Sequence, residues 1–115
     1  MYLLVNVLEQ TEQLPDILEG FAEIGIKGST IINSTGMGRV LMHVGAAAPG
    51  MDEIKKVLSN MESSNKMIFT VVSNRDTLEQ AIGIVKSFCG DLTQPGKGIL
   101  FALPLELVEG VLDVN

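Results

Sequence analysis

The chain has 115 residues, 46% of them hydrophobic, and a mean hydropathy of +0.33, which fits one folded domain over residues 1–115 and excludes a disordered chain. A net charge of −6 and a pI near 4.6 argue against binding nucleic acid, which calls for clustered Lys and Arg. The lone Cys89 permits no internal disulfide and suits a reducing cytoplasm. So apolar a composition in so small a domain leaves apolar surface for a subunit interface.

Tyr2 to Leu8 is nearly all apolar, as expected of a central strand, and it lacks the basic start of a signal peptide. Leu14, Ile17, Leu18, Phe21 and Ile24 follow the spacing of one helix face. Thr11 is placed to cap that helix, Pro15 fits only its first turn, and Gly25 is a natural stop. Residues 27–36 read as a second strand, more polar and so nearer a sheet edge. Residues 40–65 form a long connection, with a short helix expected over about residues 51–60 from Ile54, Val57, Leu58 and Met61. Met67 to Val72 is another strand of buried character. Asn74 or Asp76 can start the next helix, Asp76 with Glu79 resembling a capping box. Its inner stripe is Leu78, Ala81, Ile82, Val85 and Cys89, and Gly90 closes it. Residues 91–98 read as a loop, Ile99 to Leu103 as a strand stopped by Pro104, and Leu105 to Leu112 as an apolar tail that adds a strand or docks on a neighbour. No apolar run approaches the roughly 20 residues of a membrane span.

Each half therefore reads strand, helix, strand. Two right-handed βαβ units of this kind build an α+β, ferredoxin-like βαββαβ sandwich, an antiparallel sheet with two helices on one face. The short extra helix falls in the connector between strands two and three. The first and third strands belong at the centre.

The stretch Gly28 to Arg39 is the one that points to chemistry. A strand runs into a bend flanked by Gly36 and Gly38, and Arg39 ends it with a guanidinium fork. Backbone amides beside such a group can seat phosphate or carboxylate oxygens. Enzyme readings fare worse: His43 has no nucleophile or carboxylate at triad spacing, and Cys89 sits on an inner helix stripe. No His/Cys/Asp cluster offers a metal site. Glu9, Glu12, Asp16, Glu19 and Glu23 read as a solvated helix face. Met37, Met42, Met51 and Met61 read as packing residues in the connector, with an adaptable partner surface as the alternative.

Phe21-Ala22-Glu23-Ile24-Gly25-Ile26-Lys27-Gly28, Thr30 and Gly36-Met37-Gly38-Arg39 resemble the first half of PII signal-transduction proteins. There a helix ends in a similar AEIGI-x-G and the next strand runs into G-F-G-R. Gly96-Lys97-Gly98-Ile99-Leu100-Phe101-Ala102-Leu103-Pro104 is similar, more loosely, to the family's G-D-G-K-I-F-V-x-P. The resemblance implies a homotrimer with ligand clefts between subunits, and a loop after strand two that reports to a transporter, an enzyme or a transcription regulator. Carried over, it puts Thr30 near an adenine, Gly36, Met37, Gly38 and Arg39 on the phosphate side, and Gly96, Lys97 and Gly98 in a second glycine-rich loop.

The chain also departs from the family. With the glycines in register, Lys97 falls on the family's aspartate and Ile99 on its phosphate-binding lysine, unless the loop shifts so that Lys97 does the lysine's work, and Leu107 to Val111 stand where paired arginines are usual. Each missing cation removes a contact of about 1.5–3 kcal/mol. An adenine nucleotide, another small anion, or none stays open, and the cofactor is unassigned. The expectation is a cytoplasmic, non-enzymatic, trimeric regulator that binds a small anionic ligand and acts on a protein partner through residues 40–65. It is neither membrane-embedded nor a binder of nucleic acid. A ligand-free trimeric interaction module is the alternative.

Overall fold

The computed structural model describes residues 1–9, 11–44, 50–60, 65–94 and 97–110, with only the backbone of 43, 44 and 57–60. Strands β1 (Tyr2–Leu8), β2 (Thr30–Ser34), β3 (Asn65–Val72) and β4 (Ile99–Pro104) form one sheet of order β2-β3-β1-β4. Every neighbouring pair is antiparallel. The two most continuously apolar strands are thus central, as expected, and the more polar β2 lies at an edge. It is shorter than residues 27–36, because Lys27, Gly28 and Ser29 precede the first paired residue, Thr30.

Helices α1 (Leu14–Glu23) and α4 (Arg75–Cys89) pack against each other over one face of the sheet. Leu4, Leu8, Ile68 and Val72 of the sheet meet Ile17, Phe21, Leu78, Ala81, Val85 and Cys89 of the helices in one buried cluster. The layers form the α+β, ferredoxin-like sandwich that the pattern predicts. Gly20 lets the helices approach, since a Cβ there would come within 2.8 Å of Ile84 Cγ2.

A 3-10 turn over Thr11–Gln13 precedes α1, so the N-cap is Gln13, without a side-chain bond, and not Thr11. Pro15 sits in the first turn, where its missing N–H costs nothing. At α4 the cap is Asn74, whose side chain accepts from the Thr77 N–H at 2.8 Å. Gly25 and Gly90 end their helices at φ of 91° and 78°.

The connector departs most from expectation. Helix α3 (Met51–Asn60) matches the short helix expected there, but a further helix, α2 (Met37–Val44), replaces the start of an irregular connection. Gly36 and Gly38 therefore do not shape a bend. Neither takes a positive φ, and the Gly36 carbonyl accepts from the Val40 N–H at 3.2 Å as the helix begins. One helical glycine costs about 1 kcal/mol, which the good helix formers Met37, Arg39, Leu41 and Met42 and the buried Val40 offset. The side chain of His43 lies outside the described residues. Beyond Pro104, residues 105–110 form no strand, and the Leu105 N–H donates to the Met1 carbonyl at 2.9 Å. Residues 111 and 112 of the expected tail lie outside the described residues.

Candidate anion-binding site

Thr30 opens β2, exposed, and pairs with Phe69. Four residues on, at the other end of the strand, Ser34 pairs with Asn65. Gly36 follows, half-buried, with Asn65 Nδ2 3.7 Å from where a Cβ would stand. Met37, Gly38 and Arg39 are exposed on the first turn of α2. Gly36 to Arg39 thus stay together, as contiguous sequence requires.

The second glycine segment sits elsewhere. Gly98, at φ +96°, immediately precedes Ile99, which pairs with Val7 near the Leu8 end of β1. Leu8 pairs with Lys66, beside Asn65. Both glycine segments therefore lie at the same end of the sheet but on opposite edges, β2 and β4. Three strand spacings of about 4.8 Å place those edges roughly 14 Å apart. Thr30 is a further strand length away from Gly36. Within one chain the expected site is divided. Gly96 lies outside the described residues.

Lys97 is half-buried close to Cys89. Burial pushes the Cys89 thiol above its ordinary pKa, and the Lys97 ammonium pulls the other way. At the start of the same loop, Asp91 Oδ1 accepts from the Thr93 amide at 2.9 Å and from its hydroxyl at 2.7 Å. Those bonds, the hydroxyl first, hold the Asp91 carboxyl below the usual carboxylate range. The turn borders an open cleft of about 450 Å³, lined by Ile82, Lys86, Leu92, Leu100 and Ala102 among others. The Asp-x-Thr spacing is the sequence signal for such a turn.

The sheet face opposite the helices is the larger surprise. Its cross-strand rows read Leu103–Leu3–Val71, Phe101–Val5–Phe69–Thr30 and Ile99–Val7–Met67–Ile32. All but Thr30 are apolar and lie on the face away from α1 and α4; at its centre Val5 is 2% exposed, while at the β4 edge Ile99 is 59% and Phe101 48% exposed. A contiguous exposed apolar patch of this kind marks an interaction surface. The apolar runs of β1 and β3 read in sequence as strands covered on both sides. The α1–α4 layer covers only one of those sides.

Among the described residues no His, Cys, Asp or Glu group could hold a metal ion, and no helix is long and apolar enough to cross a membrane.

A single antiparallel sheet of order β2-β3-β1-β4, backed by two helices and carrying an insert between β2 and β3, defines a small ferredoxin-like α+β domain. Residues 2–112 match the model of the family described as Nitrogen regulatory protein P-II. The chain belongs to that family, whose members are regulatory signalling proteins. No curated protein matches it.

Proposed function

We propose that copies of this chain form trimers through the apolar sheet face and hold a small anionic ligand at the seam between subunits. Gly36 to Arg39 of one copy and Lys97 and Gly98 of the next supply the two sides of the seat. The observation that carries this reading is the division of the glycine segments between opposite edges at one end of the sheet. A second copy can close such a site, whereas one chain cannot.

The connector then reports occupancy to a protein partner such as a transporter or enzyme in the cytoplasm. Arg39 stands on the first turn of α2, so an anion held by it makes its contact in the helical arrangement of the connector. A contact made in only one arrangement shifts the population; equal affinity for both shifts nothing. The role is regulatory and not catalytic.

Thermal shift with AMP, ADP, ATP and cyclic AMP tests the proposal. A ligand at 100 times its Kd adds about 2.7 kcal/mol, several degrees for a domain of this size. At least one nucleotide is expected to raise the midpoint of the native protein, with the rise reduced in Arg39→Ala. No rise with any of them, together with an unchanged Arg39→Ala profile, sinks the ligand and leaves the trimeric interaction module. The strongly exposed Met37, Met42 and Met51, at 76%, 81% and 66%, are what favours that second reading.

A further inference from the structure

On the helical layer, opposite the apolar sheet face, α1 and α4 leave an open groove of about 420 Å³. Gly20 of α1, its C-cap residue Ile24, and Ile84 and Phe88 of α4 form the apolar floor. Each pair is spaced i, i+4, so each helix presents a short apolar ridge. Phe88 remains 40% exposed there. Glycine at position 20 keeps the floor open: a Cβ there would stand 2.8 Å from Ile84 Cγ2, so a side chain would have to shift.

The rim is acidic along its whole α1 side. Asp16, Glu19 and Glu23 line it, with Ser87 opposite and no lysine or arginine among the lining residues. Their i, i+3, i+7 spacing puts the three carboxylates on one helix face. Like charges so spaced destabilise a helix by about 0.2–0.5 kcal/mol per pair. Among the described residues none of the three has an ion-pair partner. An apolar floor beside unrelieved negative charge fits one kind of occupant.

We propose that the α1–α4 groove docks a basic amphipathic helix of a partner protein, with an apolar side chain on the Phe88 floor and lysine or arginine against Asp16, Glu19 and Glu23. Helix-in-groove recognition lays an apolar face into an apolar groove, and charge complementarity at the rim sets which helix fits. The surface stays outward when copies meet through the opposite sheet face, so it does not depend on the anion site.

The test titrates the isotope-labelled full-length protein with a capped peptide of about 14 residues, four helical turns. The peptide carries Leu and Phe on one face and Lys on the flanks. Amide shifts are expected to concentrate at Gly20, Ile84, Ser87 and Phe88. The Glu19→Gln/Glu23→Gln protein should bind about tenfold more weakly, and Phe88→Ser should weaken binding as well. The same peptide with Glu for Lys should not bind. Shifts on the sheet face, or affinity unchanged in either variant, overturn the proposal, the latter by exposing mere attraction to an acidic chain. So does the absence of any shift up to millimolar peptide. The chain has its own Lys55–Lys56 pair on α3, so a change of oligomeric state in the double variant would give the groove to a second copy and likewise overturn it.

Discussion

Gly98 sits on the backbone of β1: a Cβ built on it would stand 2.0 Å from the Val7 carbonyl oxygen and 3.2 Å from the Val7 carbonyl carbon. Its φ of +96° is strained for any L side chain as well. Neither neighbour can yield, because both belong to the central strand. Gly98→Ala should therefore cost about 3 kcal/mol or more, combining the φ penalty with a displaced β4. A denaturant midpoint within error of the native value would show that β4 does not enter the sheet here.

Gly38 predicts the reverse. It lies inside α2, has no positive φ, and a Cβ would meet nothing within 4 Å. Gly38→Ala should stabilise the chain by about 0.4–1 kcal/mol. If the glycine is there for an anion to approach the backbone, the same variant should lose nucleotide-induced thermal shift while gaining stability. A variant that is both less stable and unaltered in its nucleotide response would remove Gly38 from the site.

The contrast between these glycines shows what sequence alone can and cannot convey. Local rules place α4 between Asn74 or Asp76 and Gly90, with Asn74 the cap that forms, and α3 from the spacing of its apolar residues. They misread α2, where two glycines within three residues look like punctuation although the surrounding residues favour a helix. The uncovered sheet face was illegible for a different reason. Alternation reveals a half-buried strand only when one face is polar, and Leu3, Val5 and Val7 are as apolar as Leu4 and Leu8. The candidate site was readable as two segments, but their separation across the sheet follows from strand order. Strand order is set by non-local pairing.

Asn6 is buried, at 1% exposed, in the cross-strand row Ile31–Ile68–Asn6–Leu100. Among the described residues neither its amide nitrogen nor its oxygen has a hydrogen-bond partner. An unpaired buried amide costs about 1–3 kcal/mol, and a β-branched apolar residue removes that cost while suiting the strand. Asn6→Val is expected to raise the urea midpoint accordingly. A lower midpoint would mean that the amide is paired in solution.

Cys89 gives stability an alkaline limit. Its thiol is 2% exposed and its pKa is raised by burial, with Lys97 opposing. Below the unfolded value of about 8.5, both states hold the proton and the thiol leaves stability unchanged. Above it the unfolded chain releases the proton first, so stability falls, by at most about 1.4 kcal/mol per pH unit. Cys89→Ala should lose less stability than the native protein between about pH 8.5 and 10. Parallel pH profiles would show that the thiol ionises equally in both states.

The apolar sheet face makes the most direct demand on assembly. Phe101 is 48% exposed and pairs with Val5 in the middle row of that face. Its replacement by aspartate should leave the single chain folded, because the side chain already meets solvent. In an assembly closed through this face, each copy would bury an unpaired carboxylate, at a cost of several kcal/mol per ion. Sedimentation should then find the native protein as a trimer and Phe101→Asp as a monomer with unchanged far-ultraviolet dichroism. The nucleotide-induced thermal shift should vanish with the trimer, since the two glycine segments of one chain lie on opposite sheet edges. A Phe101→Asp protein that assembles like the native one would mean that copies meet elsewhere. A monomeric variant that still responds to nucleotide would place the ligand within a single chain.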